Sequence, residues 1–286
     1  MHWEAWRLAA RSRVEDAVKG RISSIRRSLR RGIERLEELS NQLKSLVREA
    51  SDLLSRVGEV ERYRHKLAPG IGYFKQYLLE SLKQASEELS ALDRKRTDIM
   101  GRLKHIEDLM NKALREAAAG SVDRAHELSL RAAEAGGKLL AELELISFET
   151  RELLWELGRI LKQFGPLVKR VESDMRAVAA VGLTLDEDEV VRLVEQCRIG
   201  GIGPSTLIIT NKRLLLAGAR GGRRVEVPRN AIRHIEITKR LFGLRRSLLL
   251  ILEGPGGGEQ AIRCDGLNRE ALEEMLEELS PEGQGS

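Results

Sequence analysis

Aromatic side chains are scarce in this chain: three tryptophans, three tyrosines and four phenylalanines among 286 residues, 3% of the whole. So little aromatic volume argues against one large globular core. Cysteine is rarer still. Cys197 and Cys264 are the only two, with no CxxC or metal-ligand spacing, so no disulfide framework follows, and their strand-like surroundings mark them as buried apolar residues. No apolar run approaches the roughly 18 residues that would cross a bilayer. The residues after Met1 are charged, where a secretory leader needs an apolar stretch. The expectation is an intracellular, cytoplasmic protein, soluble or held peripherally at the inner membrane face. Neither sign of charge dominates, since 49 Lys and Arg stand against 44 Asp and Glu. A balance of +5 does not by itself point to nucleic acid.

Catalytic signatures are missing too. The chain has no GxxxxGK[ST] phosphate loop, no HExxH and no GxSxG. A di-iron bundle needs ExxH pairs, and none of the five histidines follows a glutamate by three residues. The runs "GGIG", "GARGG" and "GPGGG" join strand to strand, without the helix N-terminus that a phosphate cradle uses. The reading is therefore a non-enzymatic chain, with no catalytic residue, no metal site and no cofactor.

What is present is Leu, Ala, Glu, Lys and Arg, the composition of long helices; the Arg- and Glu-rich surface also leans toward a thermophile. From Ile22 apolar residues recur in alternating steps of three and four: Ile22, Ile25, Leu29, Gly32, Leu36, Leu39, Leu43, Leu46, Ala50, Leu53, Val57, Val60. This is the a/d seam of a coiled coil. A second seam runs from Leu78 to Ala117 with Arg96 as its polar member, and a third from Ala125 to Phe164 with a four-residue stutter before Leu143. The stutter predicts local unwinding. "APG" at Ala68–Gly70 and "AAAGS" before Val122 separate the seams, and Gly165–Pro166 predicts a kink or break. Segments 22–67, 73–118 and 122–164 are of matched length with short connections. Two solutions stand side by side: a closed antiparallel three-helix bundle, and an open helical array completed by a second chain, which makes a homo-oligomer.

Past Leu185 the period changes. "VVRLVEQCR", "STLIIT", "RLLLAG", "RRVEVP", "IRHIEIT", "SLLLILEG" and "EQAIRC" are β-rich runs at about ten-residue spacing, the pattern of a small barrel or sandwich. "NREALEEMLEEL" follows, with Leu272, Met275, Leu276 and Leu279 on one face of a closing helix. The stretch "STLIITNKRLLLAG" resembles the GRAM and bacterial pleckstrin-homology-like (PH-like) domains: an apolar strand, Thr-Asn, a basic pair, a second apolar strand. Asn211 suits the tight turn between them. The resemblance covers about residues 185 to 280 and implies a seven-stranded barrel capped by a helix. It departs from phosphoinositide-binding members in the loop "RIGGIGPS", where only Arg198 is basic. A shared fold leaves function open. The fold class is α+β. Its parts are a basic amphipathic N-terminal helical arm (1–21), a coiled-coil helical bundle (22–181), a PH-like domain (185–280) and a disordered tail (281–286).

Two basic elements are candidate contact surfaces. In "TKRLFGLRRS" the pairs Lys239-Arg240 and Arg245-Arg246 flank Leu241 and Phe242 in the loop between the fifth and sixth strands, and Arg223 and Arg224 are further candidate contacts on the same module. Basic flanks around an apolar tip suit an anionic membrane or an acidic protein; a plain hairpin turned at Gly243 is the other reading. In the N-terminal arm Trp3 and Trp6 precede Arg7, Arg11, Arg26, Arg27, Arg30 and Arg31. Tryptophan beside arginine suits a membrane surface, arginine alone suits phosphate backbones, and packing of both tryptophans against a neighbouring element remains open. The sequence therefore points to a scaffold or adaptor. Its helical region would set spacing or oligomeric state, and its PH-like module would dock to a protein or an anionic lipid surface. A nucleic-acid-associated protein gripping phosphates with the arm is the alternative.

Overall fold

Three long helices come first: α1 (His2–Val60), α2 (Ala68–Ala119) and α3 (Val122–Ala180). Seven strands follow: β1 (Val191–Ile199), β2 (Gly203–Thr210), β3 (Arg213–Gly218), β4 (Arg224–Pro228), β5 (Ile232–Lys239), β6 (Arg246–Glu253) and β7 (Glu259–Leu267). The structure is a computed structural model and describes residues 2–199, 203–218, 224–239, 246–253, 259–267 and 273–274. The chain divides into two compact units, Met1–Leu54 with Gln76–Lys162, and Ser55–Lys75 with Gln163–Ser286.

The first unit is a three-helix bundle with one core. Leu29 of α1, Ile106 and Met110 of α2, and Leu139 and Leu143 of α3 are all buried in it. Burying side chains of this size contributes about 1.5–3 kcal/mol each. Ion pairs give the helix directions. Lys95 reaches Glu149 and Arg102 reaches Glu142, so α2 and α3 run in opposite senses. Arg21 donates to Ser129 at 2.8 Å, while a Cβ on Gly32 would meet Leu143 at 3.1 Å, so α1 and α3 run in the same sense. The path is up-down-up, and the seam positions are buried or half-buried apart from Arg96, which is exposed. Closest approach is at Gly136, where a Cβ would come within 2.8 Å of Ile25 Cγ2. That glycine is a second inward position beside Ala135, missed by a strict three-four count.

Two boundaries differ from the sequence expectation. α1 begins at His2 and ends at Val60, so the basic arm and the first seam are one helix. α3 contains Pro166 and continues to Ala180. Proline removes one backbone donor, yet Phe164, Val168 and Val171 on either side of it are buried, and that packing holds the helix through the defect.

In the second unit the strands form one antiparallel sheet in the order β4-β3-β2-β1-β7-β6-β5. The sheet curls around a core of Leu193, Leu207, Ile209, Leu214, Leu216 and Cys264. Alternate residues Ile208 and Leu215 point the other way, into a second core with Val178 and Leu183 from the end of α3. Both faces of β2 and β3 are thus covered, which is why these strands read as unbroken apolar runs. Cys197 and Cys264 are buried free thiols of the first of these cores, as expected. Their mutual hydrogen bond and burial hold the Cys264 thiol well above its ordinary range. Residues Leu272, Met275, Leu276 and Leu279 of the expected closing helix lie outside the described residues.

Candidate functional site

The sheet unit carries a chain of polar contacts where β1 meets the helix ends. The connection between α1 and α2 lies against β1 as a short parallel bridge, His65 to Val191. Val191 N–H donates to Arg64 O at 2.8 Å and Lys66 N–H donates to Val191 O at 2.9 Å. This pairing sets the positions of Arg64, His65 and Lys66.

His65 is 2% exposed. Its Nδ1 accepts Leu67 N–H at 3.2 Å, so Nε2 carries the proton and donates to Asp174 Oδ2 at 3.1 Å. Both ring nitrogens are committed. A histidine-aspartate pair so arranged locks three chain segments together and leaves no nitrogen for a substrate proton.

Next to it, Glu274 accepts from Lys66 Nζ at 2.7 Å and from Arg170 at 2.6 Å. Burial alone would raise the Glu274 pKa; the hydrogen bonds from Arg170 and Lys66 outweigh it and hold the carboxyl low. Glu195 has the opposite balance. Burial raises it, Arg170 opposes, and Asp174 and Glu274 add to the rise.

A third node anchors β2 and β3. Glu189, fully buried, accepts from Arg213 Nε and Nη2 at 2.7 Å each, from Thr210 Oγ1 at 2.7 Å and from Asp186 N–H at 3.0 Å. Arg213 also pairs with Glu226. Asn211 accepts Val190 N–H at 2.8 Å and donates to Asp188 O at 2.9 Å. The "TNKR" residues thus fasten the β2–β3 turn to the chain entering β1, a role beyond the turn preference read from sequence.

Beside the His65 bridge lies an open cleft of about 530 Å³, walled by Tyr63, Arg64, Lys66, Val190 and Arg192, with Pro69 from the first turn of α2. Sequence reasoning had no signal for it, because its walls come from segments more than a hundred residues apart.

Among the expected site residues, Lys239 and Arg246 are opposed at the last register position of the β5–β6 ladder. Arg240, Leu241, Phe242 and Arg245, between these two strands, lie outside the described residues, as does Arg223. Arg224 opens β4 and pairs with Glu226 at 3.2 Å. Trp3, Trp6, Arg7 and Arg11 fall on the first turns of α1, and their side chains lie outside what is described. Arg26, Arg27, Arg30 and Arg31 are exposed. Of these four, Arg30 has a carboxylate partner among the described residues, Glu34 at 2.8 Å.

Among the described residues no cluster of three or more His, Cys, Asp or Glu could hold a metal ion. No described helix is long and apolar enough to cross a membrane. No family model and no curated sequence matches the chain. One solved structure, described as the complex of PDZ-RhoGEF DH/PH domains with GTP-gamma-S activated RhoA, is similar over 86% of this chain and 94% of its own at 12% identity, with a TM-score of 0.29. At that score the likeness carries nothing further about fold or partner.

Proposed function

We propose that the chain is a non-enzymatic scaffold or adaptor, in which the helical region sets spacing or oligomeric state and a PH-like sheet module docks onto a protein or an anionic membrane surface. The observation that carries this reading is a row of exposed apolar side chains on the bundle. Leu145, Phe148 and Trp155 recur at coiled-coil spacing on α3, and are 59%, 56% and 70% exposed. The Trp155 end of the row is also pre-ordered. Arg159 lies over the Trp155 ring at 5.6 Å and donates to Tyr77 Oη at 3.0 Å, and Tyr77 in turn donates to Glu156 at 2.6 Å. Held aromatic and arginine side chains are what protein interfaces favour, and a monomer seldom leaves such a row uncovered.

A second copy of the chain is the first occupant to test. Sedimentation equilibrium of the full chain should give a dimer or larger species, with Phe148→Ala combined with Trp155→Ala returning it to a monomer. A wild-type monomer at high micromolar concentration would remove the homo-oligomer from the proposal.

The sheet module's docking surface is assigned to the β5–β6 loop, residues 239–246, with Leu241 and Phe242 between its basic pairs. Each basic residue near an anionic membrane contributes on the order of 1 kcal/mol. Reversing charge at Arg245 and Arg246 should abolish binding to anionic vesicles or to an acidic protein; unchanged binding leaves the loop a plain hairpin. The second reading, nucleic-acid association, draws on exposed Arg26, Arg27 and Arg31. It predicts duplex binding that falls steeply with salt.

A further inference from the structure

We infer that the cleft beside the His65 bridge is a binding site for a phosphate group, gripped by Arg64 and Arg192. This goes beyond the adaptor reading and uses none of its residues. Its basis is the way β1 begins. Val191 pairs with Thr210 and Leu193 with Ile209, so Arg192 is the inserted residue of a β-bulge. Val191 belongs to the core toward α3 and Leu193 to the core inside the curl. The bulge therefore switches the strand between two cores and turns Arg192 out of both, to the wall of the cleft. Re-aiming one side chain is what bulges do beside functional sites.

The charge of the cleft is the second observation. Its carboxylate, Glu61, is taken by Lys75. Lys66 is held by Glu274. Arg64 donates to two carbonyl oxygens, those of Leu185 and Asp186, which leaves its charge unneutralised by any carboxylate among the described residues. Arg192 is likewise without a carboxylate, and its buried Nε has no acceptor among the described residues. A buried donor of a charged group without a partner is costly. An oxyanion entering the cleft would meet the two guanidinium groups that line it, whose planar forks suit phosphate. Tyr63 also lines the cleft.

The same chemistry could be met by a soluble phosphate or by a phosphate monoester headgroup on a lipid. Titration calorimetry of the full chain with inorganic phosphate at constant ionic strength reads the first source. Co-sedimentation with phosphatidylcholine vesicles, with and without phosphatidic acid, reads the second. Millimolar phosphate should bind, and Arg192→Gln and Arg64→Gln should each weaken it by about tenfold or more. Arg198→Gln, a change at an exposed arginine at the far end of β1, should leave it unaltered. Arg192→Lys should fall between, keeping charge without the fork. Should Arg192→Gln fail to fold, the exposed Arg64→Gln carries the test alone. Vesicle binding that needs phosphatidic acid and both arginines assigns the lipid source; phosphate binding without it assigns the soluble one. The inference is overturned if neither probe binds, if the two glutamine variants bind as the native protein does, or if Arg198→Gln loses as much.

Discussion

Replacing Glu189 by glutamine tests what holds β2 and β3 to the chain that enters the sheet. The carboxylate is fully buried and takes four hydrogen bonds, two of them from Arg213. Burial by itself would lift its pKa, but the donors from Arg213, Asp186 N–H and Thr210 bring it down from 4.5 to about 2. A depression of that size corresponds to about 3 kcal/mol favouring the folded state at neutral pH. Breaking a buried pair costs about 3–5 kcal/mol in general. Glu226 remains as a partner for Arg213, whose side chain is 21% exposed, and this puts the expected loss at the lower end. Hydrogen exchange of the β2 and β3 amides reads it directly: Glu189→Gln should speed exchange at Ile208 and Leu215 by about a hundredfold, with the amides of Ile106 and Leu139 in the bundle unchanged. The pH dependence has a definite sign. Because the folded pKa lies below the unfolded one, the contribution is complete above pH 4.5 and is lost as pH falls toward about 2. The variant should lack this acid-side decline, having lost the contribution already. Protection within threefold of wild type at neutral pH would refute the argument.

Neighbouring glycines of α3 should respond in opposite directions. Gly137→Ala meets open space and should raise the thermal midpoint, gaining up to about 1 kcal/mol of helix propensity. Gly136→Val meets Ile25 and should lower the midpoint, losing about 1–3 kcal/mol of stability; equal responses would place the α1–α3 contact elsewhere. His65→Ala removes the partner of buried Asp174 and should cost about 2–4 kcal/mol, read by urea unfolding followed at the sheet amides; a cost under 1 kcal/mol would mean water replaces the imidazole. Double alanine replacement of Phe148 and Trp155 should leave the melting curve in place, since both are exposed, while shifting the sedimentation profile to the monomer.

Sequence carried the helices well because a seam of period three-four has one structural meaning: Leu29, Leu43 and Leu139 fall on it and are buried. The closed bundle was not separable from an open one in advance. That choice rests on Gly32 and Gly136, where small size matters through the neighbour it admits, and the neighbour lies on another helix. Of the two outcomes expected at Pro166, the break does not occur, since α3 runs through it with Phe164 and Val168 buried on either side. In the sheet, Ile208 and Leu215 hid the alternation, since the end of α3 covers the face that would otherwise be polar. Arg192 gave no signal either. Its exit from both cores depends on a register shift between Val191 and Leu193, and register is a property of two strands.

The bridge between His65 and Val191 joins residues 126 positions apart, and so imposes an order of events during synthesis. When the first turns of α2 leave the ribosome, the strand that His65 must meet has not been made. At about 5–20 residues per second the interval is on the order of ten seconds, far longer than helices take to form. Through that time His65 and the Ser55–Lys75 segment wait without their β partner, and the sheet then closes onto a hairpin already shaped. The sheet unit is therefore completed only after a segment made more than a hundred residues earlier is already in place. Truncations before β1 should leave that waiting surface permanently open to other proteins.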